Sequence, residues 1–347
     1  MKIDCETYYW PIDFLDRVDH PGKGRIERED ETTVSFYRDG EMIQRFKNTR
    51  WDLALRKQAM DAAGYDAQLL LPDPLPFLYE INHSLGPLMA AGYNSYLAEA
   101  IAGEPRFIGA AWLYLPDMDE AMAELERAAK AGLCAVRLNG GFADENLDGE
   151  ELWPLYEAAE ALDMAIVVLP IERAFEDQTG HPWLIGADRY ANMRFLASSL
   201  GFPFTYMQSI ARLIFGGVLD RFPKLRFAFL KGGAGWAPYL RERLDRQAEH
   251  RSFRSHAMKR GFKLQRRPSD YFDQLYIAAS GDETMLADVA KRWPDHRMIV
   301  GSGYDMGDLG ATWPDTVARI GALSDLAAAD RDLLLDGNAR RLFALPG

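Results

Sequence analysis

The sequence predicts a single α/β domain over residues 1–347, folded as a (β/α)8 TIM barrel with a β-hairpin inserted after the first strand. Two observations carry that expectation. Eight short β-rich runs recur along the chain, and segments with helical periodicity lie between them, the alternation that marks a parallel sheet. Eight such units in a chain of 347 residues favour a closed barrel over an open doubly wound sheet.

In chain order, the first run is KIDC, followed by Glu6 and Tyr8 pointing the same way. The next stretch, about 9–50, breaks the rhythm: TTVSFYRDGEMIQRF alternates around Asp39-Gly40, a turn pair, and predicts the hairpin over the barrel mouth. A helix over RWDLALRKQAMDAAG ends in glycine, as helix C-termini often do, and leads to the second strand, AQLLLP. RFIGAAWLYLP, the helix DMDEAMAELERAAKAG and CAVRLNG give the third and fourth strands with their crossover. The helix GEELWPLYEAAEALD then precedes AIVVLP, the fifth. A second insertion, about 172–200, is polar before it turns helical, and long loops of this kind usually cover or shape a site. RFAFL, the helix GWAPYLRERLDRQAEH, LYIAAS and MIVGS complete the set.

Composition excludes several function classes. With 48% hydrophobic and 27% charged residues and no apolar run near the length of a membrane span, a soluble globular protein is expected. The start, MKIDCETYYW, lacks an apolar signal core, so the expected location is the cytoplasm. Cys5 and Cys134, the two cysteines, each fall inside a strand, a reduced buried-thiol pattern. A formal charge of −12 argues against nucleic acid and anionic membranes as partners and leaves a small molecule.

Barrels of this type place their chemistry at the C-terminal ends of the strands. The residues leaving the strands are Glu6 and Tyr8; Asp73; Asn139 after Arg137; Leu169 with Glu172 beyond; Lys231; Ser280 and Asp282; and Ser302, Tyr304 and Asp305. Among them Lys231 alone is both cationic and directly at a strand end before glycines, in FAFLKGGAGW.

The segment SIARLIFGGVLDRFPKLRFAFLKGGAGWAPYLRERLD, together with WDLALRKQAMDAAGYDAQLLLP, LYLPDMDEAMAELERAAKAGLCAVRLNGG and RMIVGSGYD, resembles the amidohydrolase superfamily. The resembled branch includes aminocarboxymuconate-semialdehyde decarboxylase and the resorcylate-type decarboxylases, and the likeness covers nearly the whole chain. It implies a barrel, a homodimer and loss of CO2 or cleavage of an activated bond with a metal as electrophile. The ligands do not carry over. Glu6 and Tyr8 stand where the pattern has His-x-His, Leu169 where it has His, Lys231 where it has His or Glu, and Gly303 where it has Asp. A catalytic zinc needs about three His or carboxylate ligands, so neither metal nor another cofactor is expected. A displaced site from Glu6, Asp305 and His181 is the alternative.

The resemblance brings Lys231 close to Glu6, within salt-bridge reach, where one positive charge stands in for a dication. As an ammonium, Lys231 can stabilise a developing enolate or carboxylate; as a free amine it can form a Schiff base. Glu6 is then the acid/base, with Asp305 a second proton carrier or a helix N-cap. Tyr8 and Tyr304 are candidate hydrogen-bond donors to substrate oxygens or packing residues. Arg137 with Asn139 can anchor a substrate carboxylate, or Arg137 can pair inside the barrel. His181 and Trp236 complete the substrate-binding candidates, with Trp10, Phe14, Phe77, Tyr79 and Trp183 as further aromatics near the mouth. The five other histidines are read as exposed or capping residues. The leading expectation is a metal-independent carboxy-lyase or C–C/C–X bond-cleaving enzyme acting on a small, oxygenated, carboxylated molecule. A metal-free hydrolase, an isomerase or cyclase, and a non-catalytic pseudoenzyme that binds a ligand are the alternatives.

Overall fold

A computed structural model describes residues 1–15, 24–38, 40–72, 85–140, 146–170, 197–250, 263–304 and 314–346. Strand β1 (Ile3–Tyr9) is buried along all seven residues. Three short strands follow, β2 (Gly24–Arg28), β3 (Thr33–Arg38) and β4 (Glu41–Lys47), and then β5 (Ala67–Pro72), β6 (Phe107–Ala111), β7 (Ala135–Asn139), β8 (Ala165–Leu169), β9 (Phe227–Phe229), β10 (Leu275–Ala279) and β11 (Met298–Val300). Eight of these close into a parallel barrel in the order β1-β11-β10-β9-β8-β7-β6-β5. Burial on both faces, by the barrel interior and by the surrounding helices, explains why these strands read as near-continuous apolar runs.

The helices described between the barrel strands are α1 (Ile12–Leu15), α2 (Leu53–Ala63), α3 (Gly86–Ile101), α4 (Met118–Lys130), α5 (Trp153–Ala161) and α6 (Phe202–Phe215), then Ala237–Glu249 and Leu286–Arg292; α2, α4, α5 and Ala237–Glu249 lie where the periodicity puts helices. Local chemistry sets the ends of α2. The Asp52 carboxylate accepts the N–H groups of Ala54 and Leu55 at 2.9 and 3.0 Å, and Gly64 closes the helix at φ +79°.

The barrel interior is filled by residues that include Ile3, Cys5, Tyr8, Leu69, Ala110, Ala135, Val167, Leu169, Ala228, Leu230, Ala278 and Ile299. Ala339, Leu342 and Phe343 join that cluster, and the Leu342 carbonyl accepts from Arg226 Nε, just before β9, at 2.9 Å. The C-terminal segment therefore plugs the end of the barrel opposite the strand exits.

Two expectations need correction. The first strand does not end at Cys5: it runs to Tyr9, so Glu6 and Tyr8 lie within it. The cause is a bulge. Asp4 pairs with Gln68 but Thr7 with Leu70, so β1 holds one residue more than β5 across that interval. Period-2 alternation would put Ile3 and Tyr8 on opposite faces; the extra residue lets both enter the interior. His296, read as exposed or capping, is fully buried, and the Asn338 amide donates to its carbonyl at 2.9 Å.

The hairpin is present as the antiparallel pair β3 and β4, and β2 adds a third strand in the order β2-β3-β4. It is held to the exit of β1 by its buried residues Val34, Phe36 and Phe46, the Phe46 ring lying 4.3 Å from that of Trp10. Asp39, Phe77, Tyr79 and Trp183, and most of the insertion at 172–200, lie outside the described residues. No described helix is long and apolar enough to cross a membrane.

Candidate active site

Leu230 is the last inward residue at the exit of β9, and the chain then turns sharply. Lys231 has φ +65°, the left-handed region that a side chain with a Cβ enters only at a cost. Its N–H donates to Glu6 Oε2 at 3.1 Å. The Glu6 carboxylate is seated against Gly301, where a Cβ would fall 2.7 Å from Oε2. From the helix layer, the Tyr206 hydroxyl of α6 donates to the Leu230 and Val168 carbonyls, the latter at 3.3 Å. With its main chain so held, Lys231 places Nζ 4.8 Å from the centroid of the Tyr8 ring, within cation–π range. Glu6 and Lys231 thus meet at the barrel mouth, Glu6 through the main-chain N–H and the ammonium over Tyr8.

Beneath Glu6, Asp4 is fully buried and joins β1 to the exit of β11. Its carboxylate accepts from the Ser302 N–H at 3.0 Å, from the Ser302 hydroxyl, from the Glu6 N–H at 3.2 Å and from Gln68 Nε2 at 3.5 Å. The Ser302 hydroxyl in turn accepts the Tyr304 N–H at 3.1 Å. Burial lifts the Asp4 pKa from 3.8 to about 6, against the Ser302 and Glu6 hydrogen bonds and the Arg56 charge, which lower it. Since the folded state holds this proton more tightly than the unfolded chain, the Asp4 contribution to stability is full below about pH 4. It is lost as pH rises through about 6, a change of about 3 kcal/mol for a shift of about two units. Asp4→Asn is expected to abolish this slope. Denaturant unfolding between pH 4 and 7 checks it, and parallel profiles for the two proteins would refute the assignment.

Arg56 sits on the buried face of α2 with Met60 and Ala63. It donates to the Tyr8, Thr49 and Arg50 carbonyls at 2.6, 3.0 and 3.4 Å, and its guanidinium lies 4.7 Å from the Tyr304 ring centroid. Arg56 therefore ties the end of β1 to the end of the small sheet and supports Tyr304 from below. Tyr8 and Tyr304 are both buried.

Arg137 and Asn139 share the inward face of β7 with Ala135, and Arg137 Nη2 donates to Asn139 Oδ1 at 3.0 Å. Leu169 is fully buried in the inner core at the end of β8. Trp236 is half-buried and turns its indole N–H back onto the Gly232 carbonyl at 2.9 Å, closing the loop after Lys231. Ser280 donates its hydroxyl to Asp282. Asp305 and His181, like Asp73 and Glu172, lie outside the described residues. Burial pushes the Cys134 thiol up to about 12 and the Cys5 thiol well above its usual value, so neither supplies a thiolate nucleophile.

The amidohydrolase family model matches residues 3–345. The chain belongs to that family. Among similar proteins, 2-amino-3-carboxymuconate-6-semialdehyde decarboxylase of Dictyostelium discoideum is 24% identical over 352 residues, covering 99% of this chain and 92% of its own. Gamma-resorcylate decarboxylase of a Polaromonas species is 27% identical over 271 residues, with 73% and 75% covered. The crystal structure of 5-carboxyvanillate decarboxylase from Novosphingobium aromaticivorans, with bound manganese and 3-methoxy-4-hydroxy-5-nitrobenzoic acid, superposes with a TM-score of 0.75 at 20% identity, covering 99% of this chain and 97% of that one.

Among the described residues, the positions that the resemblance assigns to metal ligands do not offer the donor set of a metal centre. Leu169 supplies no donor atom, and Gly303 has no side chain and a φ of +67°. Glu6 Oε2 is engaged by the Lys231 N–H, and Lys231 itself brings a positive charge. Among the described residues there is no group of three or more His, Cys, Asp or Glu able to hold an ion. The described residues therefore do not fit the divalent ion that the family pattern implies.

Three residues that organise the site escaped the sequence reading: Asp4 and Arg56, both buried, and Glu283, whose half-buried carboxylate lies behind the loop after Lys231. Asp4 and Arg56 did leave a signal, a charge within an apolar strand and a charge on the apolar stripe of a helix. Glu283 left none, because its partners are main-chain N–H groups.

Proposed function

We propose that this protein is a carboxy-lyase that works without a divalent metal, removing CO2 from a small oxygenated organic acid with Lys231 as electrophile. The curated relatives are decarboxylases, and the observation that carries the reading is the placement of Lys231, a strained left-handed residue at a barrel strand exit, with its ammonium over Tyr8. Strain of this kind persists only where its surroundings over-determine it, and it clusters at active sites.

In this reading Arg137, steadied by Asn139, anchors a substrate carboxylate. As the C–CO2 bond breaks, its electron pair passes into the conjugated system of the substrate and builds negative charge on an oxygen, which the Lys231 ammonium stabilises. The covalent variant has the Lys231 amine condense with a substrate carbonyl and lose water. The iminium then takes up the electron pair, and hydrolysis of the reprotonated product frees the lysine. Glu6 is the acid/base that returns a proton to carbon, held in place by the Lys231 N–H. Asp305 is a second proton carrier; Tyr8, Tyr304, His181 and Trp236 surround the substrate. The enzyme acts as a cytoplasmic homodimer of one barrel domain.

The reading is tested by CO2 release from γ-resorcylate, 5-carboxyvanillate and related hydroxy and semialdehyde acids, before and after EDTA treatment and dialysis. Turnover of at least one acid is expected, unchanged by chelation, with no stoichiometric manganese, zinc or iron by elemental analysis. About one divalent ion per chain, whose removal abolishes turnover, would overturn it.

A further inference from the structure

The loop that carries Lys231 is held at both ends by carboxylates, Glu6 buried at the front and Glu283 half-buried at the back. At the front, Glu6 accepts the Lys231 N–H. At the back, Glu283 Oε2 accepts the N–H groups of Ala234 and Gly235 at 2.8 and 3.2 Å, and its Oε1 accepts that of Ser280 at 2.8 Å. Glu283 thus ties the exit of β9 to the exit of β10 through three main-chain donors, using both carboxylate oxygens. The turn wraps closely around it: Gly233 has φ +64°, and a Cβ there would lie 3.3 Å from Glu283 Oε2. Two left-handed residues within three positions, Lys231 and Gly233, do not hold themselves in that shape.

We infer that Glu283 is a positioning residue for Lys231: by gathering the N–H groups of Ala234, Gly235 and Ser280 it fixes the turn that aims the lysine ammonium over Tyr8. This rests on the reading of Lys231 as the electrophile. Glu283 acts through the main chain and does not touch substrate. Without its acceptor oxygens the three N–H groups lose their partner, the turn relaxes, Lys231 returns to an ordinary backbone conformation and its ammonium leaves the Tyr8 ring. Burial raises the Glu283 pKa despite the three donors, as expected for a carboxylate kept from water for a structural purpose.

The experiment measures the position of Lys231 itself. Trace acetylation with acetic anhydride, quantified peptide by peptide, gives the reactivity of Lys231 relative to the exposed Lys130. In Glu283→Ala this ratio is expected to rise about tenfold, the population shift that release of one strained residue allows, and in Glu283→Gln, which keeps one acceptor oxygen, about three- to fivefold. A ratio within about twofold of wild type in either folded variant overturns the proposal, since tenfold corresponds to the smaller end of such strain. Should neither variant fold, hydrogen exchange on the wild-type protein decides: the amides of Ala234, Gly235 and Ser280 are expected to exchange as slowly as barrel-strand amides, and fast exchange overturns it. Failure of the underlying reading is recognised separately. Full turnover in Lys231→Met would remove the electrophile while leaving the acetylation result in place.

Discussion

Replacing Lys231 by methionine is expected to lower turnover by about 10²–10³-fold if the ammonium stabilises charge, and by more if the amine forms a covalent intermediate, while the barrel stays folded. The structure explains why the two effects separate. Methionine keeps an unbranched side chain of similar bulk, one atom shorter, and the N–H that Glu6 accepts belongs to the main chain and survives the change. The left-handed backbone at this position is no harder for methionine than for lysine. The charge above the Tyr8 ring is lost. Borohydride reduction of the wild-type enzyme during turnover distinguishes the two chemistries: a substrate adduct on Lys231, found by mass spectrometry, indicates imine formation, and no adduct indicates the ammonium role. Unchanged turnover in Lys231→Met would sink both.

Arg56→Met is expected to destabilise the fold by about 3–5 kcal/mol, the range for breaking a buried charged hydrogen-bond network. The substitution leaves the buried Tyr8 and Arg50 carbonyls and the partly buried Thr49 carbonyl without the guanidinium donor, removes the donor to Gln68 Oε1 at 3.4 Å, and takes the cation from beneath Tyr304. Each buried polar group left without a partner costs about 1–3 kcal/mol, so the sum does not rest on one bond. Denaturant unfolding of the variant measures the loss. A change below about 1 kcal/mol would mean that water or a neighbouring donor reaches these carbonyls, and that the junction between β1 and the small sheet does not depend on Arg56.

The eight strands were legible because both their faces are buried, which forces apolar runs such as AQLLLP and AIVVLP whatever surrounds them. Helix ends were legible where local chemistry sets them, as at Asp52 and Gly64. The length of β1 was not, because Glu6 and Tyr8 read as loop residues in one dimension. They become strand residues only once the bulge between Asp4 and Thr7 and the ladder to β5 are in place. The site shows the same division. Lys231 stood out as a cation at a strand end, but nothing in LKGGAGW reveals that its backbone is left-handed or that Glu6 grips it by the N–H.

By itself the sequence determined the barrel and the family likeness, and through that likeness it pointed to Glu6, Tyr8, Leu169, Lys231 and Gly303 as standing where the resembled pattern has metal ligands, since these are matters of residue type and order. The tertiary structure alone decided which charges stand behind them. Asp4 on Ser302, Arg56 under Tyr304 and Glu283 on Ala234 and Gly235 are contacts between residues 48 to 298 positions apart. They form because a polar group taken into a barrel must find a partner there, and which partner lies within reach is fixed only when the strands have closed.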